Sequence, residues 1–90
     1  MRVIWSPAAL QDVSRIHDYI SLFNPRAAER LAARLFEAAE QLERFPLRGR
    51  GSDTAEEREL TVVRPYVLVY EVQSDLVRVL RVWHGAQRRP

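Results

Sequence analysis

Apolar positions along the chain follow two different periods, and the change from one to the other divides it into a helical half and a strand half. Val3-Ile4-Trp5 is a short apolar run that reads as a strand. Ser6-Pro7 follows as a helix start, with serine in the capping position and proline at the first helical position, where its missing N–H costs nothing. Leu10, Val13, Ile16 and Ile20 then recur at helical spacing, which predicts a first helix from Pro7 to about Leu22. Asn24-Pro25 repeats the device. Behind it Ala28, Leu31, Leu35, Ala38, Leu42 and Phe45 form a narrow seam of period near 3.5, widened by Phe36 and Ala39. Pro46 stops this second helix. The link between the helices is so short that they must form an antiparallel hairpin.

From Leu47 to Glu57 the pattern lapses into a loop holding Gly49, Gly51, Ser52 and Asp53, with Arg48 and Arg50 among them. Three strands are then expected. Glu59–Val63 leads to a turn at Arg64-Pro65, Tyr66–Val72 is rich in β-branched and aromatic residues, and Leu76–Trp83 follows the turn Gln73-Ser74-Asp75. The last strand is apolar except for Arg78 and Arg81, so it belongs in the interior of the sheet. The expected fold is therefore α+β, in the order β-α-α-β-β-β, with the helical hairpin packed on a four-stranded antiparallel sheet. Residues 1–90 form a single domain on this reading.

Composition narrows the class. The chain is 47% hydrophobic and 29% charged, which is too apolar for a disordered segment. It has no cysteine, which fits a reducing cytoplasm better than a secreted mini-protein. The N-terminus offers no apolar stretch of signal-peptide or membrane-span length, and no Cys/His cluster points to a metal. All 14 basic residues are arginine, which reads either as codon bias or as selection for planar, bidentate donors. A net charge of +2 is too small to argue for bulk nucleic-acid binding.

Several segments in order carry a resemblance. These are Trp5-Ser6-Pro7-Ala8-Ala9, a helix bearing Asp12 and ending near Tyr19-Ile20, Asn24-Pro25, and Leu42-Phe45-Pro46. Gly49-Arg50, Arg58-Glu59-Leu60, Tyr66–Val72 and Val79–Ala86 complete the set. Together they resemble the RelE/ParE toxin superfamily of bacterial toxin–antitoxin pairs over nearly the whole chain. The resemblance implies one of two activities. RelE-like members cut mRNA in the ribosomal A site, and ParE-like members lack that activity and poison DNA gyrase. Both are silenced by an antitoxin whose C-terminal segment wraps around the toxin.

A ribosome-dependent nuclease needs a group that assists 2′-OH attack, cations on the phosphate, and an acid for the leaving oxygen. Arg64, Arg81 and His84 are the candidates. Arg81 and His84 stand three apart and point to opposite faces of an ideal strand. There is no lysine cluster and no tyrosine after the last strand, so the resemblance runs to the ParE-like branch. The expected partners are then a ParD-like antitoxin and DNA gyrase, with the ribosome as the alternative target, DNA met only through the antitoxin, no cofactor and no membrane.

Arg26, Arg30 and Arg34 form one stripe on the second helix, which reads either as a solvated face or as a docking stripe for an acidic antitoxin segment. The antitoxin is expected to place an amphipathic helix in the groove between hairpin and sheet, against Leu10, Leu31 and Leu35, to add a strand to an open sheet edge, and to meet Arg58 with its carboxylates. Arg58 and Arg81 read equally as structural ion pairs with Glu59 or Glu71. Arg81, His84, Arg88 and Arg89 are the candidates for touching the target. His84 alone reads as a strand cap or a backbone hydrogen-bonding residue, and His17 as a surface or core-edge residue.

Overall fold

The computed structural model describes residues 1–51 and 56–85. The element order is β1 (Arg2–Trp5), α1 (Pro7–Ser21), α2 (Pro25–Gln41), β2 (Arg50–Gly51), β3 (Glu57–Val63), β4 (Tyr66–Val72) and β5 (Leu76–His84). Both helix starts are capped as expected. Ser6 Oγ accepts from the Ala9 N–H and Asn24 Oδ1 from the Ala27 N–H, each followed by a proline at the first helical position.

The second helix stops a turn short of Phe45. Leu42, Glu43 and Arg44 bond back three residues rather than four, tightening the chain before Pro46. Leu42 thereby stays in the core, whereas Phe45 is exposed.

Among the described residues the sheet has five strands in the order β1-β5-β4-β3-β2, not four. The added strand is β2, two residues inside the stretch read as loop, which pairs with Arg58 and Glu59 of β3. The meander β2-β3-β4-β5 is antiparallel, as its short hairpins require. The first strand corrects the all-antiparallel expectation, because β1 runs parallel to β5 over Leu76–Val79. No local turn dictates that direction. It is fixed from across the chain by Ser6, whose N–H donates to the Val79 carbonyl and whose hydroxyl donates to the Leu80 carbonyl at 2.8 Å.

Strand β5 carries one extra residue. Val79 pairs with Tyr70 and Arg81 with Val69, leaving Leu80 as a bulge. Val77, Val79 and Val82 therefore all reach the helix-facing core despite their uneven spacing. The hairpin covers that face with Ala9, Val13, Ala28, Leu31, Leu35, Ala39 and Leu42, all buried. The seam of α2 runs through Ala39 rather than Ala38. The groove between hairpin and sheet is thus filled by the chain's own side chains. Leu31 and Leu35, expected to greet a partner there, belong to the core because the seam of α2 faces the sheet.

Tyr70 ties the post-helical loop to the sheet. Its buried hydroxyl donates to the Pro46 carbonyl at 2.8 Å and accepts from the Gly49 N–H at 2.7 Å. Burial pushes its pKa above 10.0, against the opposing pulls of the Gly49 hydrogen bond and the Arg58 charge. Gly49 is required by this contact, since a Cβ there would lie 2.7 Å from the tyrosine oxygen and 2.8 Å from the Glu59 carbonyl. Arg58 closes the loop by donating to the Gly49 carbonyl at 2.9 Å. Neither ion pair considered for it, with Glu59 or with Glu71, is what holds it.

Tyr70→Phe leaves two main-chain groups without their partner and should cost about 2 kcal/mol. Urea denaturation of the variant beside the parent measures this, and unchanged stability would show that the loop is held by other contacts.

Candidate functional site

The site grows from a gap in the sheet. Because β1 pairs only as far as Val79, the second half of β5 has no strand beside it on that side among the described residues. Helix α1 lies along this edge, and Asp12 takes the place of the missing strand. Its carboxylate accepts from the Val82 N–H at 2.9 Å, while Arg81 binds both its oxygens, at 2.7 Å through Nε and 2.9 Å through Nη2. Arg15, one helical turn on, stands 3.9 Å from the same carboxylate.

Burial alone would raise the Asp12 pKa. The Arg81 and Val82 hydrogen bonds and the charges of Arg81 and Arg15 outweigh it and hold the carboxyl below 3.8. The same hydrogen bond raises the Arg81 pKa above its ordinary value, so the guanidinium stays charged. Its outer side stacks over the Trp83 indole, 4.2 Å from the ring centre.

Between α1 and this edge lies a cleft of about 700 Å³. Arg15, Ile16 and Tyr19 form its helical wall, and Tyr66, Arg81, Trp83 and His84 form its strand wall. Arg81 and His84 do leave β5 on opposite faces, as their spacing requires, yet both border the cleft because it opens at the strand's unpaired edge. His84 packs edge-on against Tyr66, its partner across the ladder, with ring centres 5.6 Å apart. Arg64 sits on the exposed β3–β4 turn and does not line the cleft, so the expected trio is brought together only in part. Tyr19 also joins the cleft to an apolar hairpin tip, where Tyr19, Leu22 and Phe23 are 64%, 78% and 74% exposed.

The remaining expected residues are placed as follows. Arg26, Arg30 and Arg34 all lie exposed on α2. Leu10 is exposed as well, because Ala9 takes its inward position. His17 is half-buried and lies 3.5 Å from Asp18. Arg88 and Arg89 lie outside the described residues. Among the described residues no group of three His, Cys, Asp or Glu side chains is placed to hold a metal.

Asp12 is the residue that pattern reading undervalued. Its position between Ala9, Val13 and Ile16 puts a carboxylate inside the apolar stripe of α1, where an unpaired charge is not tolerated. That placement was the available signal, and it called for a cationic partner elsewhere in the chain.

Comparison with known proteins turns this geometry into a family. Residues 3–89 match the sequence profile of the ParE toxin of the type II toxin–antitoxin system parDE. The chain belongs to the ParE toxin family. It is 48% identical over 86 residues to Toxin RelE2 of Caulobacter vibrioides, covering 96% of this chain and 97% of the relative. It is 34% identical over 90 residues to the putative toxin Y4kP of Sinorhizobium fredii, covering 99% and 93%. The fold of this ParE-family chain matches a structure from the chromosomal ParDE system of P. aeruginosa with a TM-score of 0.84, at 24% identity over 93% of this chain and 95% of that one. It matches the YoeB dimer structure from Staphylococcus aureus less closely, with a TM-score of 0.62 at 14% identity over 90% and 92%. This ParE-family protein is thus a type II toxin of the ParE/RelE superfamily, and the two branch names among its relatives leave its target to be argued from the site.

The depressed Asp12 pKa fixes the sign of an acid effect. Its stabilising contribution is complete above the unfolded value of 3.8 and is lost as pH falls through the lower folded value. Asp12→Asn should cost about 2 kcal/mol at neutral pH, less than a fully buried pair because Arg81 keeps one side in water. It should also flatten the loss of stability below pH 3.8. Urea midpoints across that range test this, and an unchanged acid slope would remove Asp12 from the account.

Proposed function

We propose that this chain is a non-enzymatic, ParE-like toxin that inhibits DNA gyrase and is neutralised by a ParD-like antitoxin. The observation that carries this reading is the Asp12–Arg81 pair. Arg81 is the best-placed cation beside His84, and a nuclease would need it for phosphate. Two of its donor positions are instead held by a buried carboxylate, which would also repel an approaching phosphate. A cleft walled by Tyr19, Tyr66, Trp83 and arginine edges suits a protein partner, since aromatic and arginine side chains are the usual anchors of such contacts. On this reading the cleft, with Arg88 and Arg89 of the tail, meets the target. DNA is met only through the antitoxin.

The antitoxin lays an amphipathic acidic helix along Arg26, Arg30 and Arg34 of α2, with Leu10 as an exposed apolar contact. This replaces the groove between hairpin and sheet, which Leu31 and Leu35 already fill. The second reading, a ribosome-dependent mRNA endoribonuclease, is favoured by one observation, that Arg15, Arg81 and His84 border the same cleft.

Purified protein separates the two. The expected result is loss of supercoiling by DNA gyrase with ribosome-bound mRNA left intact. Position-specific mRNA cuts that vanish on His84→Ala would overturn the proposal. For the antitoxin stripe, Arg30→Glu should weaken the complex with the product of the adjoining reading frame about tenfold, read by calorimetric titration. An unaltered affinity would move the antitoxin off this stripe.

A further inference from the structure

The cleft beside β5 continues past its own walls to the tip of the hairpin. Ile16 and Tyr19 of α1 line it at helical spacing from Asp12, and Phe23 stands one turn beyond Tyr19. Tyr19 is the link, because its ring also packs edge-on against Phe23, with 5.5 Å between ring centres. Tyr19, Leu22 and Phe23 are each more than half exposed. The tip does not need them for its own closure. Main-chain bonds from Leu22, Phe23 and Asn24 back to Tyr19 and Ile20 already close the turn, and Asn24 caps the helix that follows. Large apolar side chains gathered outside the core in this way mark a surface that another molecule covers.

Charge gives this surface a sign. Asp12 is the one carboxylate among the residues lining the cleft, and both its oxygens accept from Arg81. Arg15 approaches that carboxylate only to 3.9 Å, and its side chain is 73% exposed. The cleft therefore keeps one arginine in surplus, with its planar donors open to a second carboxylate. Such a carboxylate, arriving from the open side of Arg15, is kept off Asp12 by the guanidinium between them.

The surface is also separate from the arginine stripe of α2. Helix α1 packs over β5, whereas α2 packs over β3, where Arg34 borders Leu60 and Val62. The stripe and the cleft share no residue, so an acidic helix lying along α2 does not account for the exposed run on α1.

We propose that the gyrase target seats an apolar side chain in the cleft between Tyr19 and Trp83, sets an adjoining carboxylate on Arg15, and continues over Leu22 and Phe23 at the hairpin tip. This rests on the gyrase reading given above and extends it, by naming the chemistry that the target presents and by adding the tip to the contact. Tyr19 is the anchor, since it belongs to both halves of the surface, and Arg15 selects an acidic partner.

The test uses the purified full chain and intact gyrase. Tyr19→Ser and Phe23→Ser should each raise the toxin concentration that half-inhibits supercoiling about tenfold. Arg15→Gln should raise it about fivefold, and Arg15→Lys, which keeps the charge, should recover most of that loss. Added salt should weaken the parent chain more than Arg15→Gln. Unchanged melting curves, and unchanged affinity for the product of the adjoining reading frame, show that the variants are folded. Should an aromatic variant melt early, the Arg15 series decides. If the parent inhibits gyrase and the folded variants are equally potent, this surface is overturned and the gyrase reading stands. Loss of affinity for the adjoining product gives the surface to the antitoxin and overturns the proposal. So does a parent that sediments as a dimer and a Phe23→Ser variant that sediments as a monomer with inhibition unchanged. A parent chain that leaves supercoiling untouched overturns both this proposal and the gyrase reading.

Discussion

The structure depends on one carboxylate standing in for a strand. The sheet is built from hairpins that look after their own main-chain groups, but β1 is too short to cover β5. Without a substitute, the Val82 N–H would sit buried and unanswered beneath α1. Asp12 answers it, and the charge this brings into the core–edge boundary is matched by Arg81 in a two-point contact. The position of α1 over the sheet, the direction of the Arg81 side chain and the shape of the cleft are all consequences of that arrangement.

Much of the fold was legible because it is local. Two Ser/Asn-Pro starts and a seam of period near 3.5 define the helices without reference to anything distant, and two tight turns define the meander. What was not legible depends on residues far apart in the chain. The parallel direction of β1 is set by Ser6 acting on Val79 and Leu80, a separation of more than seventy residues that no periodicity reports. The two-residue β2 is too short to have a period at all. The early end of α2 follows from the demands of Pro46 and Tyr70 rather than from the apolar pattern, which continues through Phe45.

The candidate site was legible in its parts and not in its arrangement. Arg81 and His84 stand out as polar residues in an apolar strand, and the arginine stripe of α2 is exposed as its spacing implies. That Arg81 is bound to Asp12 could not be seen from spacing, because the pair joins α1 to β5. The consequence is chemical. A cation that looks available for phosphate in the sequence is committed in the structure. Leu31 and Leu35 show the converse, since the same seam that marks a helix face as sticky also marks it as the face that the sheet has already taken.

Ser6 joins two roles in one hydroxyl, accepting from the first turn of α1 while donating to the edge of β5. Helices ordinarily fray from their ends one residue at a time. Here the N-terminus of α1 cannot loosen without also releasing a carbonyl of the sheet, so the helix inherits the rigidity of the strand it starts beside. The joint between the two layers is for that reason a place where motion of the hairpin is converted directly into strain on β5, and the wall of the cleft that Trp83 and His84 form will register it.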